Sequence, residues 1–131
     1  MPIELNHTIV HASNAQASAA FLAELLGRPT PVTFGPFYAV ELDNRVTLDF
    51  IQADDVPIVE HYAFLVSEQE FDEIWGRIQA RGITYYPEPF MHRENEINHN
   101  DGGRGLYFLD PSGHGMEIIT RPYGSGDQYD D

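Results

Sequence analysis

From its start the chain alternates: Ile3, Leu5, His7, Ile9 and His11 fall on one side, and Glu4, Asn6, Thr8 and Val10 on the other. A period of two predicts a β-strand over 3–11 with both histidines on one face. Ser13 or Asn14 then caps a helix to Leu26, whose apolar stripe is Ala17, Phe21, Leu22 and Leu25 and which Gly27 and Pro29 end. Phe37 to Leu42 and Val46 to Ile51 read as two strands joined at Asp43-Asn44, which completes a β-α-β-β unit.

The same order begins again at Glu60. His61 to Val66 is a strand pattern, Ser67 with Glu70 forms a capping box, and Phe71, Ile74, Trp75 and Ile78 give a helical stripe to about Arg81, where Gly82 stops it. Ile83 to Tyr86 reads as a short strand, and Pro87 to Gly103 as a polar segment long enough for a lid or binding loop. Leu106 to Leu109 and Gly115 to Thr120 form a hairpin around the turn residues Asp110-Pro111-Ser112-Gly113-His114, where His114 is expected to be exposed. His7 and His61 open equivalent strands, each followed by a polar cap and an amphipathic helix, the sign of a duplicated module. The expected architecture is α+β: two half-sheets, each with one helix against its outer face, presenting their inner faces to a shared cup. Residues 1–121 form one domain, with modules at about 3–53 and 60–121, and 122–131 a flexible acidic tail.

Composition narrows the partners. The chain has 131 residues, 42% of them hydrophobic and 12% aromatic, enough for a globular core. Seven basic residues against 21 acidic ones give a net charge of −14, which repels nucleic acid and anionic membranes. The absence of cysteine excludes disulfides and thiolate ligands or nucleophiles. No apolar run approaches the roughly 20 residues of a transmembrane helix, and no secretion signal opens the chain, so the reading is a soluble cytoplasmic protein.

The chemistry lies in which strand face each polar residue takes. Glu117 stands between Met116 and Ile118, where an unpaired carboxylate costs several kcal/mol by rough estimate and needs a partner. In the 61–66 strand Tyr62, Phe64 and Val66 form the helix-facing side, so His61 faces away from the helix. His7, His61 and Glu117 can then converge on the cup as two imidazoles and a carboxylate, the set that holds non-haem Fe(II) and also suits Mn, Ni or Zn. Of the other candidates, Arg104 beside Gly102 and Gly103 can clamp an anionic or carbonyl substrate or pair with surface acids. His99 has the best claim among the remaining histidines to move a proton.

Leu5-Asn6-His7, His61-Tyr62-Ala63-Phe64 and above all Tyr107-Phe108-Leu109-Asp110-Pro111-Ser112-Gly113-His114-Gly115-Met116-Glu117 resemble the vicinal oxygen chelate superfamily, which includes glyoxalase I, fosfomycin thiol-transferases, bleomycin-resistance proteins and extradiol dioxygenases. The resemblance covers residues 3–121. It implies two βαβββ modules in a cupped mixed sheet, a homodimer, a small-molecule substrate, and metal ligation by His7, His61 and Glu117. His99, Leu106-Tyr107, Asp110-Pro111, Gly113 and Glu117 also resemble the extradiol signature, which implies that His99 and Tyr107 bond the substrate's oxygens and favours Fe(II). Two features depart from it: two modules stand where most such enzymes have four, and no histidine lies between His11 and His61. Asp49 resembles the position of a fourth ligand in glyoxalase I, one methylene shorter, and Asp101 to Gly105 lack the lysine and serine expected for a phosphonate. The expectation is a metal-dependent enzyme with extradiol-dioxygenase-like chemistry. A glyoxalase-like isomerase or lyase, and a metal-free binder that sequesters a cationic drug, are the alternatives.

Overall fold

A helix begins at Ala15 because the Asn14 side chain accepts the Ala17 N–H at 3.1 Å, and it ends at Leu26 because Gly27 turns left-handed at φ 70°. The computed structural model in which this is seen describes residues 2–56 and 58–126. Its elements are β1 (His7–Ala12), α1 (Ala15–Leu26), β2 (Val32–Phe34), β3 (Phe37–Glu41), β4 (Thr47–Gln52), β5 (His61–Leu65), α2 (Glu68–Ala80), a short 3-10 turn (Asn100–Gly102), β6 (Gly105–Leu109) and β7 (Gly115–Ile119). The chain divides into two compact units, Met1–Val59 with Asp110–Ser112, and Glu60–Leu109 with Gly113–Asp131.

The first unit is a mixed sheet in the order β1-β4-β3-β2, with β1 parallel to β4 and the other pairs antiparallel. Alternation divides its faces: Val10, Ala12, Val40, Leu48 and Phe50 are buried, as are Ala19, Leu22 and Leu25 of α1. The opposite face carries His7, Ile9 and His11, in register with Thr47, Asp49 and Ile51. The Ser112 hydroxyl sits at the first turn of α1, accepting the Ser13 N–H at 3.0 Å and sharing a hydrogen bond with Ser18 Oγ at 3.1 Å.

The second unit repeats the plan in the order β5-β7-β6, β5 parallel to β7 and β6 antiparallel to it. Ser67 and Glu70 close the expected capping box on α2. Phe64, Leu106, Phe108, Met116 and Ile118 on one sheet face and Phe71, Ile74 and Ile78 on α2 make up the buried apolar set. The two units are the α+β modules that the repeat predicts.

Three details differ from the sequence reading. The first strand starts at His7 rather than at residue 3, so Ile3 and Leu5 lie outside it and exposed. Val32–Phe34 is a strand that alternation does not reveal, because all three residues are exposed and nothing selects a face. Ile83 to Tyr86 contracts to a bridge at Tyr86, whose N–H and carbonyl both pair with Tyr107 at 2.8 Å; Pro87 follows at once and lacks the N–H that would extend the ladder. Part of the tail expected at 122–131 lies outside the described residues, while Pro122 to Gly126 hold a turn bonded to Asp101. Among the described residues no helix is long and apolar enough to cross a membrane.

Phe108 is wholly buried on the helix-side face of β6. Phe108→Ala is expected to destabilise the fold by about 3–5 kcal/mol, because the ring leaves a cavity that its neighbours fill only in part; chemical denaturation followed by circular dichroism measures it.

Candidate metal centre

Strand alternation in β7 turns Met116 and Ile118 into the core and Glu117 to the other face. There Glu117 lies in register between Ala63 of β5 and Tyr107 of β6, and His61 shares that face two residues before Ala63. The expectation that Glu117 needs a partner is met by two of these neighbours. His61 Nε2 stands 2.9 Å from Glu117 Oε1, and the Tyr107 hydroxyl hydrogen-bonds the same carboxylate. The His61 and Tyr107 ring centroids are 5.8 Å apart. Burial, and after it the bond to Glu117, push the Tyr107 hydroxyl well above its ordinary pKa, so it stays a proton donor at any physiological pH.

The two prospective ligands differ in access. The Glu117 side chain is 11% exposed and that of His61 50%, so the carboxylate is sunk in the sheet while the imidazole opens to solvent. An imidazole nitrogen and a carboxylate oxygen are the donors that Fe(II), Mn, Ni or Zn take, and two donors on one ion through bonds of about 2.1 Å stand about 3 Å apart when near a right angle. The His61–Glu117 spacing fits that demand. Among the described residues of the second unit no third His, Asp or Glu joins the pair.

In the first unit His7 lies exposed at the start of β1, and its Nδ1 donates to Asn6 Oδ1 at 2.6 Å. That bond places the proton on Nδ1 and leaves Nε2 with its lone pair free to bind a metal, the usual service of a partner to a ligating histidine. Asp49 sits on the same sheet face as His7, flanked by Ile9 and Ala39.

The remaining candidates fall elsewhere. His99 is exposed at the head of the 3-10 turn, with no capping bond from its side chain. Arg104 shows the second of its two expected uses. Its Nε donates to Glu68 Oε1 and its Nη1 to Asp72 Oδ1, both at 2.8 Å, its Nη2 to the Glu68 carbonyl at 3.1 Å, and the guanidinium stacks 4.5 Å above Phe71. It therefore fastens α2 to the approach to β6. His114, expected exposed in the turn, is buried, because its Nδ1 accepts the Glu60 N–H at 2.9 Å and its ring meets the edge of Tyr62. Two organising carboxylates escape the sequence reading. Glu88 accepts the N–H groups of Phe90 and His92, and Asp101 those of Gly124 and Gly126. The visible signal for the second is an aspartate before paired glycines, with more glycines late in the chain.

No family model matches the chain. Among solved structures it is similar to the oxidase ChaP-H2, 55% identical, with 96% of this chain and 99% of that one covered and a TM-score of 0.92. Among characterised proteins it is 32% identical to the glutathione transferase FosA of Serratia marcescens, over 87% of this chain and 78% of that protein. At 21% identity and a TM-score of 0.72, over 98% of each chain, it shares its fold with a fosfomycin resistance protein, FosX, of Listeria monocytogenes, solved with Mn(II) and a dihydroxypropylphosphonic acid.

Arg104→Ala removes the stack on Phe71 and three hydrogen bonds at once, and is expected to lower the melting temperature by about 3–6 °C while leaving the Glu117 face intact. The carboxyl of Glu68 is held below its ordinary 4.5 by the Thr120 hydroxyl and by Arg104. The stability it gives is whole above that value and is lost as the pH falls through the lowered one, so thermal melts taken down this acid range should lose less stability in the variant than in the parent.

Proposed function

The chain belongs to the vicinal oxygen chelate superfamily, and from that premise we propose that it is a divalent-metal-dependent enzyme whose ion is held by His7, His61 and Glu117. The observation that carries this reading is the Glu117 carboxylate, sunk in an apolar strand and met at 2.9 Å by the nitrogen of an accessible imidazole rather than by an arginine. An ion bound there supplies Lewis-acid stabilisation of negative charge developing on vicinal oxygens of a small substrate.

The chain's own groups do the rest. Tyr107, kept protonated, donates a hydrogen bond at the carboxylate end of the site and orients an oxygen brought beside it. His99, on the exposed loop before β6, takes or returns the substrate proton. Asn6 holds the His7 tautomer. Arg104, engaged with α2, is assigned to support rather than to the substrate.

Oxidative chemistry of the extradiol type, with Fe(II), is preferred over isomerase or lyase chemistry because the oxidase ChaP-H2 matches the chain at 55% identity, against 32% for the transferase FosA. The Mn(II) carried by FosX supports a divalent ion as the general requirement. A homodimer completes the proposal and is read by analytical ultracentrifugation.

Protein purified without chelator should contain a divalent ion. Among Fe(II), Mn(II), Co(II), Ni(II) and Zn(II), the one that serves should raise stability by about 2.7 kcal/mol at a hundredfold excess over its Kd. Glu117→Ala and His61→Ala should abolish that rise. Loaded with Fe(II), the protein should consume oxygen with some member of a catechol panel. No bound ion and no thermal shift with any of the five would leave a metal-free binder; a bound ion with no oxygen uptake across the panel would leave an isomerase or lyase.

A further inference from the structure

The chain meets the outer edge of β6 twice, and each time it sets a side chain on the face that carries Glu117. At the first meeting Tyr86 N–H donates to the Tyr107 carbonyl and Tyr107 N–H to the Tyr86 carbonyl, both at 2.8 Å. Residues that exchange both bonds in an antiparallel pair stand directly opposite, with their side chains on one face. At the second meeting Asn98 and Gly105 exchange the same two bonds, at 2.9 and 3.0 Å.

Two further observations agree on the face. Tyr85 is buried, edge-on to Trp75 of α2 with ring centroids 6.1 Å apart, so Tyr86 beside it turns the other way, out of the core. A Cβ on Gly105 would stand 3.0 Å from the Asn98 side-chain amide, and Gly105 shares the face of Tyr107 two residues on. That amide therefore lies over Gly105 on the Glu117 face, where its Nδ2 donates to the Pro87 carbonyl at 2.9 Å. Asn95 N–H donates to the Tyr85 carbonyl at 2.6 Å, so the backbone on both sides of Tyr86 is held. The segment expected as a lid or binding loop is thus tied to β6 at its base, and Tyr86 stands at its root.

Across the sheet one row of side chains runs Ala63, Glu117, Tyr107, Tyr86. Paired strands are about 4.8 Å apart, so Tyr86 stands two steps, roughly 10 Å, from Glu117 along this row. One end of the row carries a methyl group and the carboxylate, the other two phenol rings. An aromatic ring whose vicinal oxygens lie at the Glu117 end covers Tyr107 and stops short of Tyr86; a second ring fused to it reaches Tyr86.

We propose that Tyr86 is a specificity-determining residue whose ring receives the part of an aromatic vicinal diol that extends beyond its first ring, the diol being held at His61 and Glu117. The inference rests on the enzymatic reading above and adds to it the length of substrate that the site accepts.

The full chain loaded with Mn(II) tests it with two chromophoric probes, nitrocatechol with one ring and a vicinal dihydroxynaphthalene with two, in the parent, Tyr86→Ala and Tyr86→Phe. Tyr86→Ala should weaken dihydroxynaphthalene binding by about tenfold, the worth of one ring contact, and leave nitrocatechol binding unchanged. Tyr86→Phe should bind both probes as the parent does, and Mn(II) affinity should stay the same throughout. Equal losses for the two probes in Tyr86→Ala, the mark of a side chain that only shapes the strand, overturn the inference. So does no loss for either probe, or a Tyr86→Phe variant that loses as much as Tyr86→Ala. Should Tyr86→Ala fail to fold, nuclear Overhauser contacts in the Zn(II)-loaded parent decide: the outer-ring protons of bound dihydroxynaphthalene should reach the Tyr86 ring, whose resonances Tyr86→Phe identifies, and their absence overturns the inference. A parent that takes up Mn(II) and not the two-ring diol sinks this inference alone; a parent that takes up no Mn(II) sinks the enzymatic reading beneath it.

Discussion

A carboxylate placed in the middle of an apolar strand has to be compensated locally, and the choice of compensation decides what the second unit can do. Glu117 lies between the buried Met116 and Ile118 and is met by an imidazole and a phenol. A guanidinium would neutralise it permanently and fill its lone-pair directions. An imidazole can instead present a ring-nitrogen lone pair to a metal cation, and Tyr107 only donates, so the carboxylate keeps lone pairs for a ligand role. The cost of desolvating Glu117 is thus met in a form that leaves its chemistry open.

Arg104 makes the same point from the other side. It is the arginine nearest in sequence to the β6 face, and Glu68, Asp72 and the Phe71 ring hold it on α2. With that cation engaged, the face of β5, β6 and β7 that carries Glu117 offers carboxylate, imidazole and phenol in a chain of net charge −14. Such a field draws cations and discourages free phosphate or phosphonate.

Periodicity was enough to read the repeated modules, both helices with their caps, and the turning of His61 and Glu117 away from the apolar side, because a strand with one apolar side assigns every residue on it to a face. The strand at Val32–Phe34 was illegible for the complementary reason: it is exposed throughout, and its pairing with β3 is set by backbone bonds that leave no pattern. His114 was misread because a histidine in a Pro-Ser-Gly turn looks solvated. Its burial follows from the Glu60 amide, far off in the chain, that its ring nitrogen accepts. Glu88 and Asp101 were missed likewise: each acts on backbone N–H groups, which every residue but proline has, so no partner side chain announces them.

The hydroxyl of Ser112 gives the molecule an order of assembly. It belongs to the first compact unit although most of the second unit precedes it along the chain, and α1 receives it at Ser13 and Ser18. A nascent chain that has just left the ribosome with α1 and β1 to β4 complete therefore lacks a hydrogen-bonding plug at the head of its first helix until nearly the last strand has been made. The final consolidation of that helix end is a contact of long sequence separation, the kind that slows folding.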